Sequence, residues 1–542
     1  MAVLTIPKKI FEKDIGKAND EMDHKLAMFG TPLDTFDDEN VNIEVFPNRP
    51  DLLSIQGFVR EFSAFCGKRA GLKTYKIEKS GYKLVIEKSV PDEYHYAFAC
   101  IVKGIKFNDA RIKEIIQVQE KLGATMMRNR KKGGIGLYPL NKISFPVRFI
   151  GMDPDQIKFR PLEYPTVITG RQILSKHPTG REYGHLCENW DKFPIFIDSN
   201  GSIMSMPPII NSHDMGKIDE TTRDVFIEVT GTDSNILQKA LTIIVTSLAE
   251  MGGQIYSIEC TQRNGKKLNI PDMTPQKTKL NYNNINKLLG LEIKKTEIKK
   301  FLEKMGHEYK KGYVYSPAWR VDILHEVDLI EDIAIAYGYD KIIPQIPQIS
   351  TIGQIDSKEI IKKKISDILA GLGLIEISNL HLTTKDAIKK SNLNEEQQIE
   401  IPNSKTEFNI LRPDLTNCAL RILSENVDVE YPQEIFEIGK VFDNSYHENE
   451  HLSIALAPGN FTKAKQILNY LAIMLNHSIK IEKPQSNTSK TNNYCIEGRV
   501  ADILINNKKV GFIGEVHPQI LKNFKIKMPL TIVEFDLSEI LK

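Results

Sequence analysis

Carboxylates crowd one stretch of the sequence, VDILHEVDLIEDIAIAYGY at 321–339. On a helix that begins near Glu326, the side chains of Asp328, Glu331 and Asp332 fall at positions i, i+3 and i+4, one turn apart on the same face. Asp322 lies just upstream and can fold back toward that face. Grouped carboxylate oxygens suit Mg²⁺, which takes one or two carboxylates directly and keeps several waters.

The same acidic residues also suit two roles without a metal. Acidic side chains in the first turn of a helix complement the helix dipole and need no ion. A negatively charged face also suits a basic partner. Because an apolar pattern runs between the carboxylates, one side of this helix is expected to be buried. The spacing alone leaves all three roles open.

Polar residues also follow a predicted hairpin. The segment PIFIDSNGSIMSM at 194–206 has two apolar runs joined by Ser-Asn-Gly, which is typical of a hairpin. Ser205 stands at its end, and Asn211 follows after an irregular Pro207–Pro208 segment. Such residues suit the wall of a pocket, and they equally suit simple turn chemistry.

A basic, glycine-rich run, RNRKKGGIGLYPL at 128–140, is predicted to be a loop. The charges at 128–132 suit contact with the phosphates of a nucleic acid. A solvated loop would have the same composition, so the run by itself does not decide between the two.

The bulk composition limits the classes of protein. A chain of 542 residues with a net charge of +2 is expected to form roughly three to five domains, and it is not a global polycation for nucleic acid. The six cysteines form no CxxC pair, and no GxxxxGK[ST] motif occurs, which excludes a zinc ribbon and a P-loop. The start has no apolar signal region and the longest apolar run is interrupted, so a cytoplasmic protein without a membrane span is expected.

The pattern of elements predicts an α+β multidomain protein. A strand is expected at DVFIEVTGTD (224–233), followed by a long helix capped by Asp233 or Ser234, and another strand at QEIFEIGKVF (433–442). Pro344 and Pro347 indicate a linker. The predicted domains are an N-terminal α/β domain at 1–85 and further domains at 90–260, 268–345 and 355–542.

Six ordered segments resemble the β subunit of phenylalanyl-tRNA synthetase in its archaeal or eukaryotic form. They are VFPNRPDLLSIQGFVREFSAF, GLYPLNKISFPVRF, SIMSMPPIINS, DVFIEVTGTD, WRVDILHEVDLIEDIAIAYGYDKI and PQEIFEIGKVF. The resemblance covers nearly the whole chain, and six ordered matches are far more specific than any single motif.

The resemblance implies a phenylalanine–tRNA ligase, an aminoacyl-tRNA synthetase of α₂β₂ composition. Its α subunit binds phenylalanine and ATP and joins phenylalanine to tRNA(Phe). The β subunit carries a B3/B4-like editing module at 90–260, a small helical B5-like metal-binding module at 268–345, and a class II synthetase-like antiparallel sheet domain at 355–542. That last domain is expected to lack an active site, because neither an FRxE nor a GxGxxxR motif occurs in it.

The resemblance also implies which residues act. The editing module hydrolyses tyrosine wrongly attached to tRNA(Phe), and its pocket is expected to contain Ser205, Asn211, Glu228 and Thr230. Glu228, where the family often has Asp, is expected to recognise the tyrosine hydroxyl, while Asn211 and Ser205 place the ester or a water. The acidic helix corresponds to a magnesium site with Asp322, Asp328, Glu331 and Asp332 as ligands.

Two alternatives remain beside this interpretation. The chain could be a non-catalytic scaffold and tRNA-binding subunit with a degenerate editing site. It could also be a free-standing deacylase, although a large synthetase-like domain would then leave an apolar face without a partner.

Overall fold

The computed structural model describes residues 2–349, 351–484 and 494–542. The chain divides into two compact units between Ile346 and Pro347, inside the segment predicted as a linker. Each unit is described by itself.

The strands of the first unit form three main sheets and one short ribbon. Their bounds are β1 Ala2–Pro7, β2 Leu33–Phe36, β3 Asn40–Val45, β4 Ile77–Ile86, β5 Tyr96–Lys103, β6 Gly133–Pro139, β7 Val147–Met152, β8 Lys158–Phe159, β9 Ile168–Thr169, β10 Phe193–Ile197, β11 Ile203–Met206, β12 Ile210–Asn211, β13 Val225–Gly231, β14 Gln254–Thr261, β15 Lys267–Ile270, β16 Gln276–Lys279, β17 Glu308–Lys310 and β18 Tyr313–Ser316.

The helices of this unit alternate with those strands. Their bounds are α1 Lys8–Asp14, α2 Asp20–Phe29, α3 Ile55–Phe65, α4 Asp109–Ala124, α5 Gly170–Lys176, α6 Pro178–Tyr183, α7 His213–Gly216, α8 Ser234–Glu250, α9 Tyr282–Leu289, α10 Lys295–Lys304 and α11 Glu326–Tyr337. Asp233 caps α8 and α11 begins at Glu326, so both predicted helix starts are confirmed.

A ten-stranded sheet dominates the first unit. Its order is β12-β11-β10-β7-β4-β14-β5-β13-β6, with β15 paired to β14. The predicted hairpin is β10 and β11, and the predicted strand is β13. Because β4 pairs with β7 and β14, the sheet begins before the boundary predicted near residue 85.

The two faces of β13 have different roles. Side chains alternate between the faces of a strand, and Ile227 and Val229 share one core with Leu237 and Leu241 of α8. Phe226, Glu228 and Thr230 therefore lie on the opposite face, away from α8.

The acidic helix belongs to a small module within the first unit. It contains α9, α10, α11 and a three-stranded sheet of order β16-β18-β17. Leu329, Ile330 and Ile333 of α11 are buried in one core with Ile298 and Leu302 of α10. The apolar pattern of the sequence is thus the buried side of this helix.

The second unit is a seven-stranded, mainly antiparallel sheet with helices on both faces. Its order is β19-β22-β23-β27-β26-β25-β24. Helices α12 and α15 cover one face and α14 and α16 the other. The bounds are α12 Ser357–Gly371, β19 Ile375–Glu376, β20 Leu382–Thr384, α13 Lys385–Lys390, β21 Phe408–Leu411, α14 Thr416–Glu425, β22 Gln433–Phe442, β23 Glu448–Ala457, α15 Phe461–Leu475, β24 Ile479–Glu482, β25 Cys495–Ile505, β26 Lys508–Val516, α16 Pro518–Asn523 and β27 Thr531–Asp536.

In the described part of the chain, every helix is too short or too polar to cross a membrane.

Candidate functional site

A glycine-rich strand opens space beside Glu228. Residues 133–139 form β6, so the prediction of a loop across 128–140 was wrong for this part. In the β6–β13 register Gly136 lies opposite Glu228, and Gly134 lies opposite Thr230. A Cβ on Gly136 would overlap the Glu228 carboxyl and lie 2.5 Å from the hydroxyl of Tyr138, so a larger residue there would displace that carboxyl.

Glu228 is a buried carboxyl without a charged partner close to it. Its side chain is 2% exposed, and its Oε1 accepts a hydrogen bond of 3.0 Å from the hydroxyl of Tyr138. Its Oε2 is buried and has no hydrogen-bond partner in the parts of the chain that the structure describes. Burial raises the pKa of Glu228 to about 8, against a smaller lowering by the Tyr138 hydrogen bond. The carboxyl is therefore mainly neutral at pH 7.

The two edges of the large sheet approach each other at this point. The hydroxyl of Tyr138, on the edge strand β6, lies 3.2 Å from Asn211 Oδ1 of the opposite edge strand β12. Just before β6, the guanidinium of Arg130 donates to the carbonyl oxygens of Pro208 and Ile209 at 3.1 and 2.9 Å. These contacts hold residues 208–211 against β6.

A cavity of about 740 Å³ lies at this junction, which is a size typical of ligand pockets. Asn211, Glu228 and Thr230 line it, together with Arg130 and Gly134. Three of the four predicted pocket residues therefore share one cavity. Helix α4 contributes an apolar part of the wall through Ile112, Ile115 and Ile116.

Ser205, the fourth predicted residue, lies outside the residues that line the cavity. It pairs with Asn211 in the β11–β12 register and is 1% exposed. Its hydroxyl has no hydrogen-bond partner within residues 2–349, 351–484 and 494–542. Ser205 thus lies beside Asn211 on the neighbouring strand, outside the cavity lining.

The carboxylates of the acidic helix have a different environment. Arg320, 1% exposed, donates two hydrogen bonds to Asp322 at 2.8 and 2.7 Å and one to Asp332 Oδ2 at 2.7 Å. His307 Nε2 lies 2.6 Å from the same Asp332 oxygen. Although burial acts to raise the pKa of Asp332, the charge of Arg320 and the His307 hydrogen bond hold it below its usual value. Two of the predicted metal ligands are therefore already ion-paired with one arginine.

The other two proposed ligands are also engaged. Asp328 Oδ2 accepts from the backbone N–H groups of Leu324 and His325 at 2.8 and 2.7 Å, which is the behaviour of a carboxylate in a capping box. Glu331 accepts from the hydroxyl of Tyr339 at 2.7 Å.

No group of three acidic, histidine or cysteine side chains converges on a metal position in the described residues. As arranged here, the four carboxylates do not fit a single four-ligand magnesium site. Asp328 instead has the predicted role of an acidic residue at a helix start.

The FPNRPD turn contributes buried charged side chains near Arg320. Arg49 donates to Asp51 at 3.0 and 2.8 Å, and both side chains are buried. Glu61 of α3 accepts from the indole N–H of Trp319 at 2.8 Å. Glu61 therefore joins α3 to Trp319, the residue next to Arg320, and Arg49 of the turn lies 3.8 Å from Glu61.

Comparisons with known proteins agree with one another. A model of the tRNA synthetase B5 domain matches residues 278–339, and a model of the phenylalanyl tRNA synthetase beta chain CLM domain matches residues 342–537. The phenylalanine–tRNA ligase beta subunit of Archaeoglobus fulgidus is 35% identical over 99% of this chain and 98% of its own length. The chain belongs to the phenylalanine–tRNA ligase beta subunit family.

Further members of the family support the assignment. The beta subunit of Pyrococcus horikoshii is 36% identical over 90% of this chain and 89% of its own length. A crystal structure of an N-terminal fragment of the Pyrococcus horikoshii subunit is 35% identical, with a TM-score of 0.59, and covers 62% of this chain and 100% of that fragment. The mixed α+β fold of the first unit is thus that of a phenylalanyl-tRNA synthetase beta subunit.

In this member of the family, buried polar contacts fill the interior beside α14 in the second unit. Glu534 accepts from the backbone N–H groups of Leu415 and Thr416 at 2.9 and 2.8 Å, and His451 Nδ1 lies 2.8 Å from it.

The sequence HENEH at 447–451 matches the HExxH pattern, which binds zinc when it lies on a helix. Here it runs into strand β23, and His447 contacts Asp443 instead.

Sequence reasoning missed two residues that organise these sites. Tyr138 connects Glu228 to Asn211, and Arg320 forms ion pairs with both Asp322 and Asp332. The alternation of Gly134, Gly136 and Tyr138 would have indicated a strand with one open face. A basic residue beside an acidic cluster, as in Arg320 and Asp322, would have indicated an ion pair.

Proposed function

We propose that this chain is the editing and scaffold subunit of a cytoplasmic phenylalanine–tRNA ligase. It assembles with the α subunit as α₂β₂, and the α subunit uses ATP to join phenylalanine to tRNA(Phe). The cavity beside Glu228 receives the aminoacyl end of mischarged Tyr-tRNA(Phe), and the ester is hydrolysed there. The observation that carries the proposal is a buried Glu228 with one unpartnered oxygen, among the described residues, in the wall of a cavity of ligand size.

The Glu228 carboxyl has the properties needed to recognise a hydroxyl. When neutral, it can donate a hydrogen bond from Oε2 to the phenolic oxygen of tyrosine. When ionised, it can accept a hydrogen bond from the phenol. A phenylalanine side chain would leave Oε2 buried and unpaired, at a cost of roughly 1–3 kcal/mol. The pocket therefore favours tyrosine over the cognate amino acid.

A second, editing site is useful because binding alone discriminates poorly between tyrosine and phenylalanine. Tyrosine differs from phenylalanine by one hydroxyl. An apolar amino-acid pocket in the aminoacylation site discriminates against an added hydroxyl by only about 10²-fold. A separate pocket that requires the hydroxyl can remove the remaining errors. The apolar wall from α4 suits the aromatic ring of either amino acid.

Hydrolysis is assigned to a water held by polar groups. Asn211 and Thr230 line the same cavity as Glu228, and Ser205 pairs with Asn211 in the β11–β12 register. Their side chains can orient the ester and a water without forming a covalent intermediate. Arg130, with its guanidinium 4.3 Å from the ring centroid of Tyr183, supplies a positive charge to the cavity wall that suits a nucleotide phosphate.

An apolar face on the second unit suits the α partner. On α15, Tyr470, Ile473 and Met474 stand at i, i+3 and i+4 with exposures of 45%, 75% and 42%. Exposed apolar groups at this spacing form one stripe on a helix, and such stripes commonly mark protein interfaces.

Two experiments test the proposal. Charging of tRNA(Phe) with phenylalanine is expected only when the chain is combined with its α subunit, and charging by the chain alone would contradict the assignment of synthesis to α. Deacylation of Tyr-tRNA(Phe) by the assembled enzyme is expected to be lost in Glu228→Ala. The exposed Glu188→Ala is the matched control. Equal rates in wild type and Glu228→Ala would favour the scaffold alternative.

Magnesium binding by Asp322, Asp328, Glu331 and Asp332 stays a prediction of the family resemblance. A cation could take all four only after Asp322 and Asp332 leave Arg320. Titration of the assembled enzyme with Mg²⁺ checks it: Asp328→Ala should weaken binding, whereas Glu326→Ala, outside the ligand set, should not. Identical titration curves for wild type and Asp328→Ala would remove these ligands from consideration.

A further inference from the structure

Tyr138 lies behind the recognition carboxyl and does not line the cavity. Its hydroxyl is within hydrogen-bond distance of two acceptors, Glu228 Oε1 at 3.0 Å and Asn211 Oδ1 at 3.2 Å. The residue is fully buried, and its ring centroid lies 6.0 Å from that of Phe226, its neighbour across the β6–β13 register. The position of this hydroxyl is therefore fixed by the sheet.

We propose that Tyr138 is a positioning residue for selectivity: its hydroxyl engages Oε1 of Glu228 and reserves Oε2 for the hydroxyl of the bound side chain. The proposal deepens the proposed editing function and rests on it. Tyr138 itself touches no substrate and acts through Glu228.

A neutral Glu228 carboxyl carries one proton on one of its two oxygens. Because Tyr138 donates to Oε1, that oxygen serves as the acceptor and the acid proton is directed to Oε2. In the ionised form the same hydrogen bond still occupies Oε1. In both protonation states Oε2 is thus the atom left for the substrate, and without the Tyr138 hydroxyl the two oxygens would compete.

The local structure is built around this pair. A Cβ at Gly136 would collide with both members, so a larger residue at that position would displace the pair. The other titratable group near Glu228 is the phenol of Tyr94, which donates instead to the Thr230 carbonyl oxygen at 2.9 Å. Arg130 is bonded to the carbonyl oxygens of Pro208 and Ile209. Tyr138 is therefore the group whose hydrogen bond acts on Glu228 and lowers its pKa.

The test compares deacylation of Tyr-tRNA(Phe) and Phe-tRNA(Phe) by the assembled enzyme between pH 6 and pH 9.5. In Tyr138→Phe the ratio of kcat/KM for the two substrates is expected to fall by roughly tenfold, the value of about one hydrogen bond. The midpoint of the pH profile should also move upward, because the hydrogen bond that stabilises ionised Glu228 is gone.

Two further variants separate positioning from simple packing. Tyr94→Phe removes a neighbouring buried phenol that does not bond Glu228, and it should leave the pH midpoint where it is. 3,5-Difluorotyrosine at position 138 keeps the shape of the side chain and is a stronger donor, so it should move the midpoint downward. This third variant keeps the test valid if Tyr138→Phe folds poorly.

Each outcome decides the question. Opposite shifts of the midpoint for the two changes at position 138, with loss of selectivity in Tyr138→Phe, support the proposal. An unchanged midpoint and an equal fall in rate for both substrates would overturn it and leave Tyr138 a packing residue. If the wild-type enzyme does not hydrolyse Tyr-tRNA(Phe), the proposed editing function fails, and the role of Tyr138 fails with it.

Discussion

Glu228 and Asp332 are both buried carboxyl groups of the first unit, and their surroundings are opposite. Asp332 receives one hydrogen bond from Arg320 and lies against His307, and its pKa is held below the usual value. Glu228 receives one hydrogen bond from a neutral phenol, and burial raises its pKa to about 8. Asp332 is ion-paired with Arg320 through Oδ2, whereas Glu228 has no ion pair in the described residues and keeps a buried oxygen without a hydrogen-bond partner there.

The contrast separates a structural role from a recognition role. A buried charge that is neutralised and hydrogen-bonded fixes the position of its neighbours but has little left to offer a ligand. A buried carboxyl with one unsatisfied oxygen destabilises the fold, and a ligand that supplies the missing partner relieves that cost. Acidic clusters therefore do not by themselves indicate metal sites, whereas one incompletely bonded carboxyl in a cavity wall points to recognition.

The largest expected effect is on stability and concerns the ion pairs of Arg320 with Asp322 and Asp332. Arg320→Met should lower the free energy of unfolding of the first unit by roughly 3–5 kcal/mol, because Asp322 and Asp332 would remain buried without their cation. Chemical denaturation of the chain measures it. The matched control is Arg148→Met, which removes a largely exposed pair with Glu87 and should cost less than about 1 kcal/mol. Equal losses in the two variants would remove the structural role of Arg320.

The second prediction concerns the effect of Glu228 on the pH dependence of stability. The folded-state pKa of Glu228 lies above its unfolded value, so ionisation opposes folding as the pH rises from about 4.5 to about 8. Glu228→Gln removes that penalty. Its stability relative to wild type should be near equal at pH 4.5 and greater by roughly 2–4 kcal/mol at pH 8.5. If the difference in thermal stability between Glu228→Gln and wild type does not change with pH, the pKa of Glu228 is not raised in the folded state.

The third prediction tests the opposite side of the cavity. Asn211→Ala should slow Tyr-tRNA(Phe) deacylation by roughly tenfold, because one hydrogen-bonding group at the ester or water is lost. Charging with phenylalanine should be unaffected. The two rates are measured on the same preparation of the assembled enzyme. An unchanged deacylation rate would exclude Asn211 from the reaction.

The smallest expected effect is that of magnesium on the fold of the chain alone. Since Arg320 is already ion-paired with Asp322 and Asp332, Mg²⁺ must compete with it and is expected to bind weakly, so that removal of Mg²⁺ with EDTA should leave the Tm of the first unit within about 1 °C. A fall of several degrees, restored by Mg²⁺, would show that a cation and not Arg320 holds the acidic helix.

Local signals in the sequence predicted much of the fold. The β10–β11 hairpin, strand β13 and the start of α11 each follow from a pattern within a few residues. The resemblance to a known family also brought Asn211, Glu228 and Thr230 together, and the structure places these three in one cavity wall.

Features that depend on distant pairing could not be predicted. Tyr138 reaches Asn211 because opposite edges of a ten-stranded sheet approach each other, and no local pattern encodes that curvature. Likewise, the spacing of Asp328 and Asp332 on a helix gives no sign that Arg320 stands between Asp332 and Asp322. Both cases require knowledge of which strands and charges meet in space.

The most direct test of Glu228 as the recognition group is the deacylation of Tyr-tRNA(Phe) and Phe-tRNA(Phe) by the assembled enzyme, with wild-type chain and with Glu228→Ala, which removes both oxygens. Wild type is expected to hydrolyse the tyrosyl ester much faster than the phenylalanyl ester. Glu228→Ala should reduce that preference while Glu188→Ala keeps it. If wild type shows no preference, or if Glu228→Ala retains it in full, then Glu228 does not recognise the tyrosine hydroxyl and the cavity is not an editing site of this kind.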